Sequence, residues 1–182
     1  MFVEHLPAQP IPLCVVVLAI VTASTDLVAR RIPNRIVLGG LIVALFAQVW
    51  LLGPLKGGAA WIEGALAGFA LLLPFYLVRG MAAGDVKLMM TIGAWLGPAF
   101  ALHIVLVTLL IGGVWSIAVI VKRGRIKDLM RLIHRISARW LPNAVWIGVA
   151  PQAPNEKPAS LGTLPYGVAI ASATIGVLFA AV

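Results

Sequence analysis

Apolar residues in this chain come in long runs, not in alternation. The runs cover roughly 11–29, 36–53, 58–78, 86–97, 98–121 and 162–182, separated by short polar or Gly/Pro-containing breaks. Most approach the ~20 residues that carry a helix across about 30 Å of hydrocarbon. A chain crossing lipid must satisfy its backbone polar groups internally, and helices do so within one segment. The pattern therefore predicts an all-α, polytopic membrane protein with about six transmembrane helices. The fourth run is short. As a helix, 86–97 reaches about 18 Å at 1.5 Å per residue, and Gly97-Pro98 makes a natural break before the fifth. Between the fifth and sixth runs lies a polar stretch, 122–160. In it Ile126, Leu129, Ile133, Ile136 and Trp140 follow helical spacing, while Lys127, Arg131, Arg135 and Arg139 recur every four residues on another face. This predicts an amphipathic helix at about 125–140, lying on the membrane surface and drawn to anionic headgroups; a docking surface for a partner protein is the other reading. Residues 150–160 are Pro-rich and read as a linker. No internal repeat is evident, and the whole of 1–182 is expected to form a single membrane-embedded domain.

Composition agrees with the pattern. Hydrophobic residues make up 62% of the chain and charged residues 11%, against about 25% charged in a soluble domain. The first twelve residues contain no Lys or Arg, so they lack the basic region of a secretory signal peptide, and the first apolar segment is expected to be retained. The single cysteine, Cys14, excludes an internal disulfide and a C-x-x-C site. His5, His103 and His134 are scattered. No metal and no cofactor are expected. The formal charge of +8 invites a nucleic-acid reading, but the charges fall in loops between spans, and no nucleic-acid partner is expected. With six spans every Lys and Arg except Lys56 shares one side. If 86–97 failed to cross, the basic 122–157 stretch would move to the outer side, against the positive-inside rule. Both termini are thus expected outside, and the loops carrying Arg30, Arg31, Arg79 and 122–160 in the cytoplasm.

That topology brings two of the six acidic residues to one depth. Asp26 lies at the cytoplasmic end of the first span, Asp85 at the cytoplasmic start of the fourth. An ionisable side chain at membrane depth costs about 2.5–3.5 kcal/mol on insertion scales. Singly, each has a structural reading: Asp26 could pair with Arg30 four residues on, and Asp85 could cap the fourth helix. Together they suggest a paired acid site. Two carboxylates within about 5 Å share one proton. One can act as base on water while the other, protonated, stabilises charge on a carbonyl oxygen. The helix N-terminus favours Asp85 as the more acidic of the two. Glu63 sits near the outer end of the third span and is expected to snorkel or pair with Lys56. Gly64 and Gly68 form a G-x-x-x-G pattern suited to internal packing or to a homodimer.

The segment from Asp26 to Asn34, D-x-x-x-R-R-I-P-N, resembles the first motif of type IV prepilin peptidases. Gly80 to Leu88, GMAAGDVKL, resembles their G-x-G-D motif and its flank, with Ala82 where the family has its first glycine. Leu164-Pro165-Tyr166-Gly167 is similar to the start of their last span. The resemblance implies an aspartic endopeptidase with Asp26 and Asp85 catalytic, which removes the short basic leader of a prepilin at the cytoplasmic face of a bacterial cytoplasmic membrane. Larger family members carry paired C-x-x-C motifs and methylate the new N-terminus. With one cysteine and a short first cytoplasmic loop, this chain resembles the peptidase-only kind that serves Tad/Flp-type pili, and no methyltransferase activity is expected. Gly84, Lys87, Asn34, Pro165 and Tyr166 are the residues expected to shape the site or meet substrate. Asn34 could cap the second helix, Lys87 could oppose the charge of Asp85, and Pro165, lacking an amide hydrogen, could leave a carbonyl for substrate. The alternative is a small proton- or cation-coupled transporter using the same aspartates, although no acid lies near the midplane where transporter sites sit. A non-catalytic scaffold built on the basic helix is a third reading.

Overall fold

A computed structural model describes residues 11–29, 32–78, 80–122 and 166–181. These form six helices: α1 (Ile11–Ala29), α2 (Asn34–Leu52), α3 (Pro54–Leu77), α4 (Ala83–Leu96), α5 (Pro98–Lys122) and α6 (Tyr166–Ala180). Among the described residues there is no strand. The expected amphipathic helix at about 125–140 lies outside them, as do Arg30, Arg31 and Pro165. α1, α2, α3 and α5 are long and apolar enough to cross a membrane. Much of their outward surface is apolar, with Leu13, Val17, Phe46, Trp50, Leu66 and Leu110 exposed, as lipid contact requires. The described residues fall into two compact units, 11–112 with 166–181 and, separately, 113–122 at the end of α5.

Two Gly-Pro pairs punctuate the first unit. Gly53 (φ 83°) ends α2 and Gly97 (φ 85°) ends α4, each followed by a proline that opens the next helix. Positive φ suits glycine, and the proline's missing N–H costs nothing in a first helical turn. The turn at Gly53 explains why α3 starts at Pro54 and not at the expected residue 58.

α4 is the buried element. It has 14 residues, about 21 Å of helix. Val86, Leu88, Met89, Ile92, Ala94, Trp95 and Leu96 are all buried. A helix enclosed by other helices need not match the bilayer, which removes the difficulty raised by its length. It packs most closely on α3, where Gly64 and Gly93 lie backbone to backbone: a Cβ on either would meet the other's carbonyl oxygen, and one on Gly68 would meet that of Met89. The G-x-x-x-G face is thus occupied within the chain. Side chains tie α4 to α2 as well. Gln48, buried in α2, donates from Nε2 to the carbonyl of Trp95 (2.9 Å) and to that of Ala94 (3.4 Å), two carbonyls that the end of α4 leaves without helical partners. Trp95 Nε1 donates to the Gly40 carbonyl at 3.0 Å. On the other side of the unit α1 packs along α6, and both touch α4.

Candidate active site

The end of α1, the starts of α2, α4 and α6, and the loop 32–33 come together through a few specific contacts. Asp26 sits in the last turn of α1 and is buried against α6. Its Oδ2 accepts the backbone N–H of Gly167 at 2.9 Å. One turn earlier Thr22, fully buried, satisfies its hydroxyl on the carbonyls of Leu18 (2.8 Å) and Ala19 (3.1 Å), so it makes no demand on the aspartate.

Asp85 is also buried, at the start of α4. The reading of Asp85 as the cap is corrected in one respect. The N-cap is Ala82, with φ −81° and ψ 152°, and Asp85 is the third helical residue. Its Oδ2 accepts the Ala82 N–H at 3.2 Å, while its own N–H bonds the Ala82 carbonyl at 3.1 Å. This is the carboxylate half of a capping box; Ala82 has no oxygen to supply the other half. The backbone at Ala82 lies in the extended region, so a methyl there costs no strain. Its carbonyl and amide, not its side chain, are the working groups.

α1, which carries Asp26, touches α4, which carries Asp85, and α6 touches both, so the two buried carboxylates stand on adjoining helices.

The other expected residues divide. Lys87 Nζ donates to Asn34 Oδ1 at 3.2 Å, joining the starts of α4 and α2. Asn34 is the first residue of α2, so the cap position falls to Pro33, which has no side-chain oxygen to offer. Gly84 faces Ile32: a Cβ there would lie 3.3 Å from that of Ile32. The I-P-N loop that follows Asp26 is thereby packed onto the helix that carries Asp85. Tyr166 opens α6, half-buried, with its ring beside Gly112 of α5. Glu63 is exposed on α3. Gly167, which holds Asp26, was not among the expected site residues; its signal was the L-P-Y-G segment itself, in which proline and tyrosine drew the attention. Among the described residues no group of three or more His, Cys, Asp or Glu side chains could hold a metal.

The geometry can be set beside known proteins. Residues 13–117 match the Type IV leader peptidase family, a stretch that includes Asp26, Asn34, Gly84, Asp85 and Lys87. The chain is also 32% identical over 105 residues to a prepilin leader peptidase/N-methyltransferase of Bacillus subtilis (strain 168). That alignment takes in 57% of this chain and 42% of the relative, so the chain spans less than half the length of the protein it matches. No solved structure matches it. With more than half of its length matched, and with two buried aspartates held inside that stretch by backbone amides, the chain belongs to the Type IV leader peptidase family.

Proposed function

We propose that the chain is an aspartic endopeptidase of the bacterial cytoplasmic membrane. It would remove the short basic leader of a type IV prepilin, of the Tad/Flp-like kind, at the cytoplasmic face, with Asp26 and Asp85 as the catalytic pair. The observation that carries this reading is the pair itself: two buried carboxylates on adjoining helices, each with Oδ2 on a backbone amide. The relative's printed name points to the same substrate class; of its two activities we carry over the peptidase alone, since the chain has a single cysteine.

The pair shares one proton. The ionised carboxylate takes a proton from water as the water oxygen bonds to the scissile carbonyl carbon. The protonated carboxyl gives its hydrogen to the carbonyl oxygen, neutralising the charge that develops there. The tetrahedral intermediate then breaks its C–N bond: the carboxyl that took the water's proton passes it to the amine nitrogen, the other carboxylate takes back a hydroxyl proton as the C=O re-forms, and a leader acid and a new N-terminal amine separate. A prepilin suits this site because its basic leader stays in the cytoplasm while its hydrophobic helix lies in the bilayer. The bond between them then falls at the depth of the two acids.

The test is co-expression with a prepilin and detection of leader removal by mobility shift. Asp26→Asn and Asp85→Asn should each abolish cleavage in protein that still inserts in the membrane. Full processing by either variant would overturn the assignment.

A further inference from the structure

We infer that Gly167 is a positioning residue of this site: its backbone amide fixes the Oδ2 oxygen of Asp26 and so turns Oδ1 towards the water and the scissile bond. The inference rests on the reading of Asp26 as catalytic. Gly167 lies beyond residues 13–117, the stretch matched to the family.

Three observations carry it. First, Gly167 is the second residue of α6, and amides in the first turn of a helix have no partner within it. This one is buried and spends its hydrogen on Asp26 across 141 positions of sequence. Second, the position admits no side chain. A Cβ on Gly167 would lie 2.7 Å from Asp26 Oδ2 and 3.0 Å from both its Cγ and its Cβ. Rotating the carboxylate would relieve only the first of these contacts, because the Cβ of Asp26 is fixed to the backbone of α1. Third, Asp85 is held in the same way, with Oδ2 on the Ala82 amide. Both carboxyls are thus anchored through one oxygen by main chain, which does not change rotamer, and both keep the second oxygen for chemistry.

The experiment compares Gly167→Ala with Gly176→Ala, a glycine of the same helix with nothing within 4 Å of its would-be Cβ. Purified enzyme and a prepilin are used, with kcat and KM measured separately over a range of pH. Displacing a catalytic group by about 1 Å costs roughly 10²-fold in rate. Gly167→Ala should therefore lower kcat by about that factor with KM within twofold, and should move the pH profile. Gly176→Ala should leave all three unchanged. A mere folding defect would reduce the amount of active enzyme and leave KM and the profile of the remainder in place, and that result would overturn the inference. Thermal unfolding gives a second readout that does not need activity. Gly167→Ala should lower Tm in the wild-type background and by clearly less in an Asp26→Gly background, where the carboxylate and the Cβ that crowd the added methyl are both gone; an equal loss in both backgrounds would overturn the inference. If Gly167→Ala cleaves normally while Asp26→Asn is dead, the positioning role fails and the catalytic reading stands. If Asp26→Asn cleaves normally, the catalytic reading fails with it.

Discussion

Gly68→Ala and Gly58→Ala make the same chemical change in the same helix and should have opposite effects. In a helix interior, replacing Gly by Ala gains about 1 kcal/mol in intrinsic propensity. At Gly58 no atom lies within 4 Å of the added Cβ, so that gain stands nearly alone, and stability should rise by up to about 1 kcal/mol. At Gly68 the Cβ meets the carbonyl oxygen of Met89, with the Met90 Cα at 3.2 Å. Both belong to helix backbone, which cannot rotate away as a side chain would. α3 and α4 must part instead, and overpacking of this sort costs about 1–3 kcal/mol. The parting also loosens the reciprocal contact of Gly64 with Gly93, one turn along. The loss exceeds the propensity gain, and a net destabilisation of about 1–2 kcal/mol is expected. Met89 lies one turn after Asp85, so the displacement reaches the site. Prepilin cleavage should fall by about 10-fold or more, in keeping with the steep dependence of rate on the placement of catalytic groups. Thermal unfolding of the purified protein in detergent, together with the cleavage assay, would read both effects. If Gly68→Ala proved as stable and as active as Gly58→Ala, the close approach of α3 and α4 would be wrong.

Two other expectations follow from the interior. Gln48→Leu keeps the volume of the side chain but removes its hydrogen bonds to the Trp95 and Ala94 carbonyls; leaving buried carbonyls unpaired should lower stability by about 1–2 kcal/mol, measurable by the same unfolding assay. Gly93→Ala would drive its Cβ into the Gly64 carbonyl oxygen from the α4 side and should cost about 1–2 kcal/mol; a variant as stable as the parent in that assay would contradict the backbone contact of α3 with α4.

The helices were legible in the chain because the signal is long and one-dimensional: runs of apolar residues closed by Gly-Pro or Arg-containing breaks. α1 and α5 begin where the pattern puts them, since Ile11 follows a polar stretch and Pro98 follows a glycine. The two aspartates drew attention for a different reason: charge is so costly in lipid that few acids occur in apolar segments, and the structure buries both. What the chain conceals is backbone. The amides that hold the carboxylates belong to Gly167 and Ala82, residues with no functional group to notice, and only the fold brings residue 167 to residue 26. The cap of α4 was misread for a related reason. Asp85 stands just before the fourth apolar run, which suggested a helix starting after it, whereas the helix had already begun at Ala83, with Gly84 left bare for Ile32. The G-x-x-x-G pattern was visible, but its partner, Gly93, is fixed only by the way α3 and α4 meet.

The bond from Gly167 to Asp26 also bears on when the protein becomes competent. A ribosome releases α1 well before α6, so a nascent chain that has completed its first five helices already holds Asp26 but lacks the amide that pairs with its Oδ2. Until α6 is made and packed, that carboxylate must find another partner, which links the state of the first helix to the arrival of a segment 141 positions later.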